Sequence, residues 1–107
     1  MDSTSAVLRL VGLGMRGRLV SVGVDRTREA AFKGTLRLAI VAADASPNSR
    51  DKIVPLLSGR GVSMIETASA DELGKAVGRA ATAVVGVLDV KLARGVRAAH
   101  RGQGETG

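Results

Sequence analysis

Apolar positions along the 107-residue chain alternate between a helical and a strand period. In residues 5–14, Val7, Leu8, Leu10, Val11 and Leu13 lie mostly on one side at helical spacing. They predict a first helix, weakened near its end by Gly12 and Gly14. MRGR at 15–18 reads as a basic turn, and RLVSV at 18–22 alternates as a short strand. A second helix is expected over about 24–33, with Gly34 as its stop, and LRLAIVA at 36–42 reads as a strand entering the interior. Ser46 is a natural N-cap, and Pro47 sits where a missing N–H costs nothing. The third helix is expected to reach about residue 58, with a kink or an early end at Pro55.

Gly59 and Gly61 bracket a turn before a third strand, VSMI, at 62–65. Ser69 and Glu72 form a capping box for a fourth helix at 70–78, whose stripe is Leu73, Ala76 and Val77. TAVVGVL at 82–88 is apolar on both faces, which predicts a central strand. VKLARGVRAAH at 90–100 is a last, basic helix, and RGQGETG is expected to be a disordered tail at 101–107. Helices alternating with strands predict an α/β chain. The expected fold is a three-layer α-β-α sandwich around a mixed sheet of about four strands. Neither a repeat nor a linker interrupts it, so residues 1–100 are expected to form a single domain.

Charge adds a partner class. Sixteen Lys and Arg face ten Asp and Glu, for a net charge of +6 and an isoelectric point near 11.1. Arginine dominates, and an anionic partner follows, nucleic acid first. The excess is uneven: residues 1–37 and 89–101 are cationic, whereas 38–88 carry equal numbers of each sign. A single aromatic residue, Phe32, leaves no set of exposed rings for stacking bases. Nucleic acid would have to be held through shape, phosphates, backbone groups and arginine.

Catalysis is not expected. Cysteine is absent and His100 is the one histidine, so neither a thiolate site nor a histidine-based metal cluster or triad is expected. No cofactor is expected either. GLGMRG at 12–17 follows a helix rather than a strand and has the wrong spacing for a dinucleotide fingerprint. Asp44 and Asp89 stand at strand ends, where catalytic carboxylates often sit, but Asp44 is read as capping the turn into SPNS. MDSTSAVLRL lacks a basic leader and a cleavage motif, and no apolar run approaches the ~20 residues of a membrane span. A cytoplasmic location and no membrane partner are expected.

Two helix starts, at 23–26 and 69–72, are expected to offer free backbone N–H groups and positive dipole ends. Arg16, Arg18, Arg26 and Arg28 flank the first, and TASAD surrounds the second. If both lie at one edge of the sheet, they make a cationic rim.

In this order the segments GMRGRLVSVG, LAIVAADASPNSRDKI and ADELGKAVGRAATAVVGVLD resemble the ribosomal kink-turn-binding superfamily, the L-seven-Ae group, and more closely its small YlxQ-like bacterial branch. LG-x-A-x-G is present as Leu73, Gly74, Ala76 and Gly78, and IVPLL carries the superfamily's mid-helix proline. The match spans about residues 8–95. It implies a non-catalytic, cytoplasmic RNA-binding protein without a cofactor. RNA would sit against the junction of strand one with helix two and the loop before helix four. The family junction reads close to G-x-N-E-x-x-K; here it is Gly23, Val24, Asp25, Arg26, Thr27, Arg28, Glu29. Asp25 replaces the asparagine, Arg26 the glutamate and Glu29 the lysine. Asp25 accepts but does not donate, and Glu29 would repel a phosphate. Binding of structured RNA, ribosomal RNA included, is therefore expected through the same face, without standard kink-turn readout.

The expected contacts are Arg16, Arg18, Arg26, Arg28 and the junction backbone, with Thr67, Ala68 and Ser69, and with Lys75 and Arg79 further out. The expected state is a monomer. The competing expectation is an adaptor in transcription or translation that keeps the fold and has lost RNA recognition.

Overall fold

A computed structural model describes residues 2–102. The element order is α1 (Ser3–Arg16), β1 (Val20–Val22), α2 (Val24–Lys33), β2 (Leu38–Val41), α3 (Pro47–Arg60), β3 (Met64–Glu66), α4 (Ala70–Ala76), β4 (Val84–Val87) and α5 (Val90–Gly102). The four strands form one mixed sheet in the order β1-β4-β2-β3. β4 runs antiparallel to both neighbours, and β2 runs parallel to β3. The α/β sandwich and the central place of β4 agree with the sequence pattern.

The pleat sends alternate residues to opposite faces. On β1, Val20 lies close to Gly14 of α1, while the Ser21 hydroxyl meets Thr27 Oγ1 of α2 at 2.8 Å. One layer is therefore α1 with α4 and α5, and the other is α2 with α3. β2 and β4 are buried throughout, and Leu38, Ile40, Ile53, Leu57 and Leu73 are the bulkiest buried side chains. Gly86 lets α2 come down onto the sheet: a Cβ there would collide with the Ser21 hydroxyl and Leu36.

Several boundaries differ from expectation for physical reasons. α1 starts earlier, because the Asp2 carboxylate caps it by accepting from the Ser5 N–H (2.7 Å). It also runs through Gly12 and Gly14, which are points of close packing: a Cβ on Gly12 would lie 3.3 Å from the Ala76 carbonyl. MRGR is therefore split between helix and turn, and Arg18 takes a left-handed φ of 59°. α3 does not end at Pro55 but continues to Arg60. Pro55 is exposed, and so is Asp51 one turn back, so the carbonyl that loses its donor faces water. α4 stops at Ala76, two residues short of the expected end, and Gly78 turns left-handed at φ 71°. α5 continues through Arg101 and Gly102, two residues into the span expected to be a tail. Residues 103–107 lie outside the described residues. Among the described residues no helix is long and apolar enough to cross a membrane.

Candidate nucleic-acid interface

The topology brings both expected helix starts to one end of the sheet. β1, β2 and β3 finish there and β4 begins there. Gly23 N–H donates to Val84 O, Ala42 N–H to Ala83 O and Ala43 N–H to Ala68 O, each at 2.8 Å. The β1–α2 junction and the β3–α4 loop are three strand spacings apart, about 14 Å. Between them lie the ends of the α4–β4 and β2–α3 connections.

The two halves of this end differ in charge. At the β1 half, Gly23 holds φ at 95° and serves as the N-cap of α2, and among the described residues no side chain caps that helix. The first-turn N–H groups of Val24, Asp25 and Arg26 precede the first intrahelical donor, Thr27, whose N–H reaches Gly23 O at 3.1 Å. Arg26, Glu29 and Lys33 of α2 face Arg79 across an open groove of about 380 Å³ along β1. Lys33 Nζ donates to Glu29 Oε1 at 2.9 Å, and that bond, reinforced by the Lys33 and Arg26 charges, holds the Glu29 carboxyl below its usual range. Glu29 is therefore already paired with a cation, and Arg26 and Arg79 are the guanidiniums presented to the groove.

The β3 half holds more carboxylates than cations, with Arg50 paired to Glu66 and donating to the Ala42 and Ala43 carbonyls, and the start of α4 is capped by side chains. Ser69 Oγ accepts from the Glu72 N–H (3.1 Å), and Glu72 Oε1 accepts from the Ser69 N–H (2.9 Å), completing the capping box. The Ala70 N–H donates to Asp44 Oδ1 at 2.8 Å. Asp44 is thus not a cap for SPNS: Ser46 caps α3, and Asp44 reaches across to α4. Asp89 likewise caps α5, accepting from the Leu92 N–H at 2.8 Å. Asp2, Asp44 and Glu72 line one hollow with Ala68 and Ser69. Thr67 is buried, with its hydroxyl 3.1 Å from that of Thr4. Ala68 is held at φ 63°, a strained value for a residue with a Cβ. The expected free N–H groups and cationic surroundings are therefore found at 23–26 and not at 69–72.

The remaining expected contacts are dispersed. Arg28 turns toward α3, where its guanidinium donates to the Lys52 carbonyl and lies 5.7 Å from the centre of the Phe32 ring. Arg16 ends α1 and Arg18 precedes β1, so both stand at the opposite end of the sheet. From Arg18 to Gly23 is about 16 Å of extended chain. They do not join the rim. Lys75 is exposed on α4 and lines a shallow hollow with Leu8 and Arg9 of α1. The segment that sequence reasoning passed over is 80–82, between α4 and β4. Ala80 and Ala81 are exposed there, and the segment leads into β4, directly beside the junction. Its signal is strand order, which is not written in residue types.

The model of the ribosomal protein L7Ae/L30e/S12e/Gadd45 family matches residues 5–96. Among solved structures, a Bacillus halodurans protein of unknown function superimposes with a TM-score of 0.82 at 26% identity, covering 88% of this chain and 95% of that one. A Giardia lamblia 15.5-kDa RNA-binding protein superimposes with a TM-score of 0.79 at 22% identity, covering 95% of this chain and 88% of that one. No curated protein matches the chain. With a family match over most of its length, on a mixed four-stranded sheet flanked by five helices, the chain belongs to the ribosomal protein L7Ae/L30e/S12e/Gadd45 family.

Proposed function

We propose that the protein is a non-catalytic, RNA-binding member of its family that grips structured RNA at the β1 half of the junction end. The observation that carries this is the uncapped start of α2 at Gly23, with Arg26 and Arg79 facing each other across the adjoining groove. Backbone N–H groups and a helix dipole suit a phosphate oxygen, and guanidiniums add charge-assisted, bidentate contacts. Asp25 in place of asparagine and Arg26 in place of glutamate change the base-edge chemistry from the family pattern. Kink-turn readout of the standard kind is therefore not part of the proposal. Placement in the YlxQ-like branch, a cytoplasmic location, a monomeric state and the absence of a cofactor belong to the same reading.

The test is electrophoretic mobility shift with a structured RNA at ~150 mM salt and heparin competitor, where weak, non-specific contacts are largely lost. Wild type should retain a shifted band. Arg26→Gln with Arg79→Gln should weaken binding roughly tenfold with the fold intact. No preference for structured RNA over competitor would overturn the proposal. Arg28 is not the residue to change, because its side chain is tied to α3.

One observation favours the adaptor reading. The acidic hollow of Asp2, Asp44 and Glu72 repels phosphate and suits a basic protein surface. A partner that survives ribonuclease in a pull-down, and is lost on Asp44→Asn, would favour it.

A further inference from the structure

The other end of the sheet, where β1, β2 and β3 begin and β4 finishes, is cationic. Arg37 enters there from the α2–β2 connection, its N–H donating to Val87 O at 2.8 Å. Arg60 ends α3. Arg97, on α5, donates from Nη2 to the Arg37 carbonyl at 3.1 Å. The three arginines line a single cleft of about 380 Å³, and none of the described carboxylates lines it. Leu36 and Val62 supply its apolar lining and Ser63 a hydroxyl. The Arg60 guanidinium rests over the Phe32 ring at 5.3 Å, a contact that positions it without consuming its N–H donors.

Basic residues are ordinary at helix C-termini, so the excess has to be weighed. α2 and α3 end at this cleft in left-handed Gly34 and Gly61. Each helix end presents about half a negative charge, about one charge for the pair. Three guanidiniums exceed that, and Arg16, Arg18 and Lys91 flank the same end of the sheet. Asp89, a carboxylate at this same end of the sheet, is engaged in capping α5.

We propose that the Arg37–Arg60–Arg97 cleft binds backbone phosphates of RNA, as a second contact site remote from the junction. This rests on the RNA-binding reading above. The two sites lie at opposite ends of the strands, so they engage separate segments of the RNA, and one protein fixes their relative placement.

The experiment is fluorescence anisotropy of a labelled structured RNA across a salt series. The proteins are wild type, Arg37→Gln/Arg60→Gln, Arg26→Gln/Arg79→Gln, and Lys52→Gln/Arg101→Gln as a charge-matched control. Loss of two phosphate contacts should reduce the magnitude of the slope of log K against log salt by about 1.5. Each of the first two variants should show that loss, their combination should show both, and the control should show neither. A circular-dichroism melt and the single variant Arg37→Gln guard against a folding effect at Arg60. If Arg37→Gln/Arg60→Gln matches the control while Arg26→Gln/Arg79→Gln loses slope, the second site is overturned and the first stands. Wild type that fails to bind RNA overturns both. Tripolyphosphate titrated in parallel separates ligand sources: binding of tripolyphosphate through Arg37 and Arg60 without binding of RNA would overturn the RNA assignment.

Discussion

The two ends of the sheet are built from the same strands and differ in charge. At the junction end four helices begin, and Asp2, Asp25, Asp44, Asp71 and Glu72 stand at or near their first turns. At the far end α1, α2 and α3 finish, and Arg16, Arg18, Arg37, Arg60 and Arg97 gather there. Part of this division follows from the fold alone. Four helices, α1 to α4, point the same way and expose N–H groups at one end and carbonyls at the other, and side chains of opposite sign offset each. The division teaches that charge read along the chain is a poor guide to where charge gathers in space. A cationic first third and last third become, in space, one narrow cationic half at the junction end and a broad cationic far end.

The largest effect that would break the comparison is steric. A Cβ on Gly74 would run into the Ala80 carbonyl, which is backbone and belongs to the α4–β4 connection at the junction end. Gly74→Ala should lower stability by about 3 kcal/mol in chemical denaturation and displace the segment that carries Arg79. Its RNA affinity should fall even where the protein remains folded. The Arg37 cleft, which shares no element with α4, should keep its contribution to the salt slope.

A smaller pair of changes probes the two ends of one helix. Gly23 and Gly34 bracket α2 at φ 95° and 76°, with open space where a Cβ would go. Gly34→Ala, in the left-handed helical region, should cost roughly 1–2 kcal/mol, and Gly23→Ala, with ψ at 164° in a region only glycine occupies readily, up to about 3 kcal/mol. Their functional effects should separate: Gly23→Ala should reduce phosphate contact at the junction, and Gly34→Ala should perturb the far cleft that Gly34 lines. Folded variants with identical RNA affinities would erase the distinction between the ends.

The smallest effect concerns Glu29 and Lys33 on the groove wall. The Lys33 hydrogen bond depresses the Glu29 carboxyl, so its contribution to stability is full above the ordinary carboxylate range and is lost as pH falls through its folded-state value. Both side chains are largely exposed, so the contribution is minor. Glu29→Gln should melt almost as wild type does at neutral pH and become indistinguishable from it in acid. The same change leaves Lys33 unpaired, so RNA affinity should rise slightly. A fall would place Glu29 itself in contact with a donor on the RNA.

Local features were legible in the sequence. The caps at Ser46 and Ser69, the limits of α2 and its Gly34 stop all follow from chemistry within four residues of chain. Strand starts were read about two residues early and β3 ends one residue later than read, because pairing with a neighbour rather than apolar content decides where a strand begins and ends. Pro55 and the α1 glycines misled because their consequences depend on solvent and on packing partners. Of the proposed site, Gly23, Asp25 and Arg26 were legible, because they lie together in one local motif. It was illegible for Arg16 and Arg18, since a strand of a few residues is enough to carry neighbours in sequence to opposite ends of the molecule. The turn of Arg28 toward α3 was not legible, because its partner, the Lys52 carbonyl, lies 24 residues away. The far cleft joins residues 37, 60 and 97, a set that no spacing rule assembles.

The central claim is that RNA touches both ends of the sheet, with the acidic β3 half left free. Its most direct test is a titration of uniformly labelled protein with structured RNA, following backbone amide shifts. The account predicts large shifts at Gly23, Val24 and Arg26 and at Ala80 to Thr82, a second set at Arg37, Gly61 and Arg97, and small ones at Ser69 and Glu72. Shifts centred on Ala68, Ser69 and Glu72, with the Arg37 cleft unmoved, would contradict it.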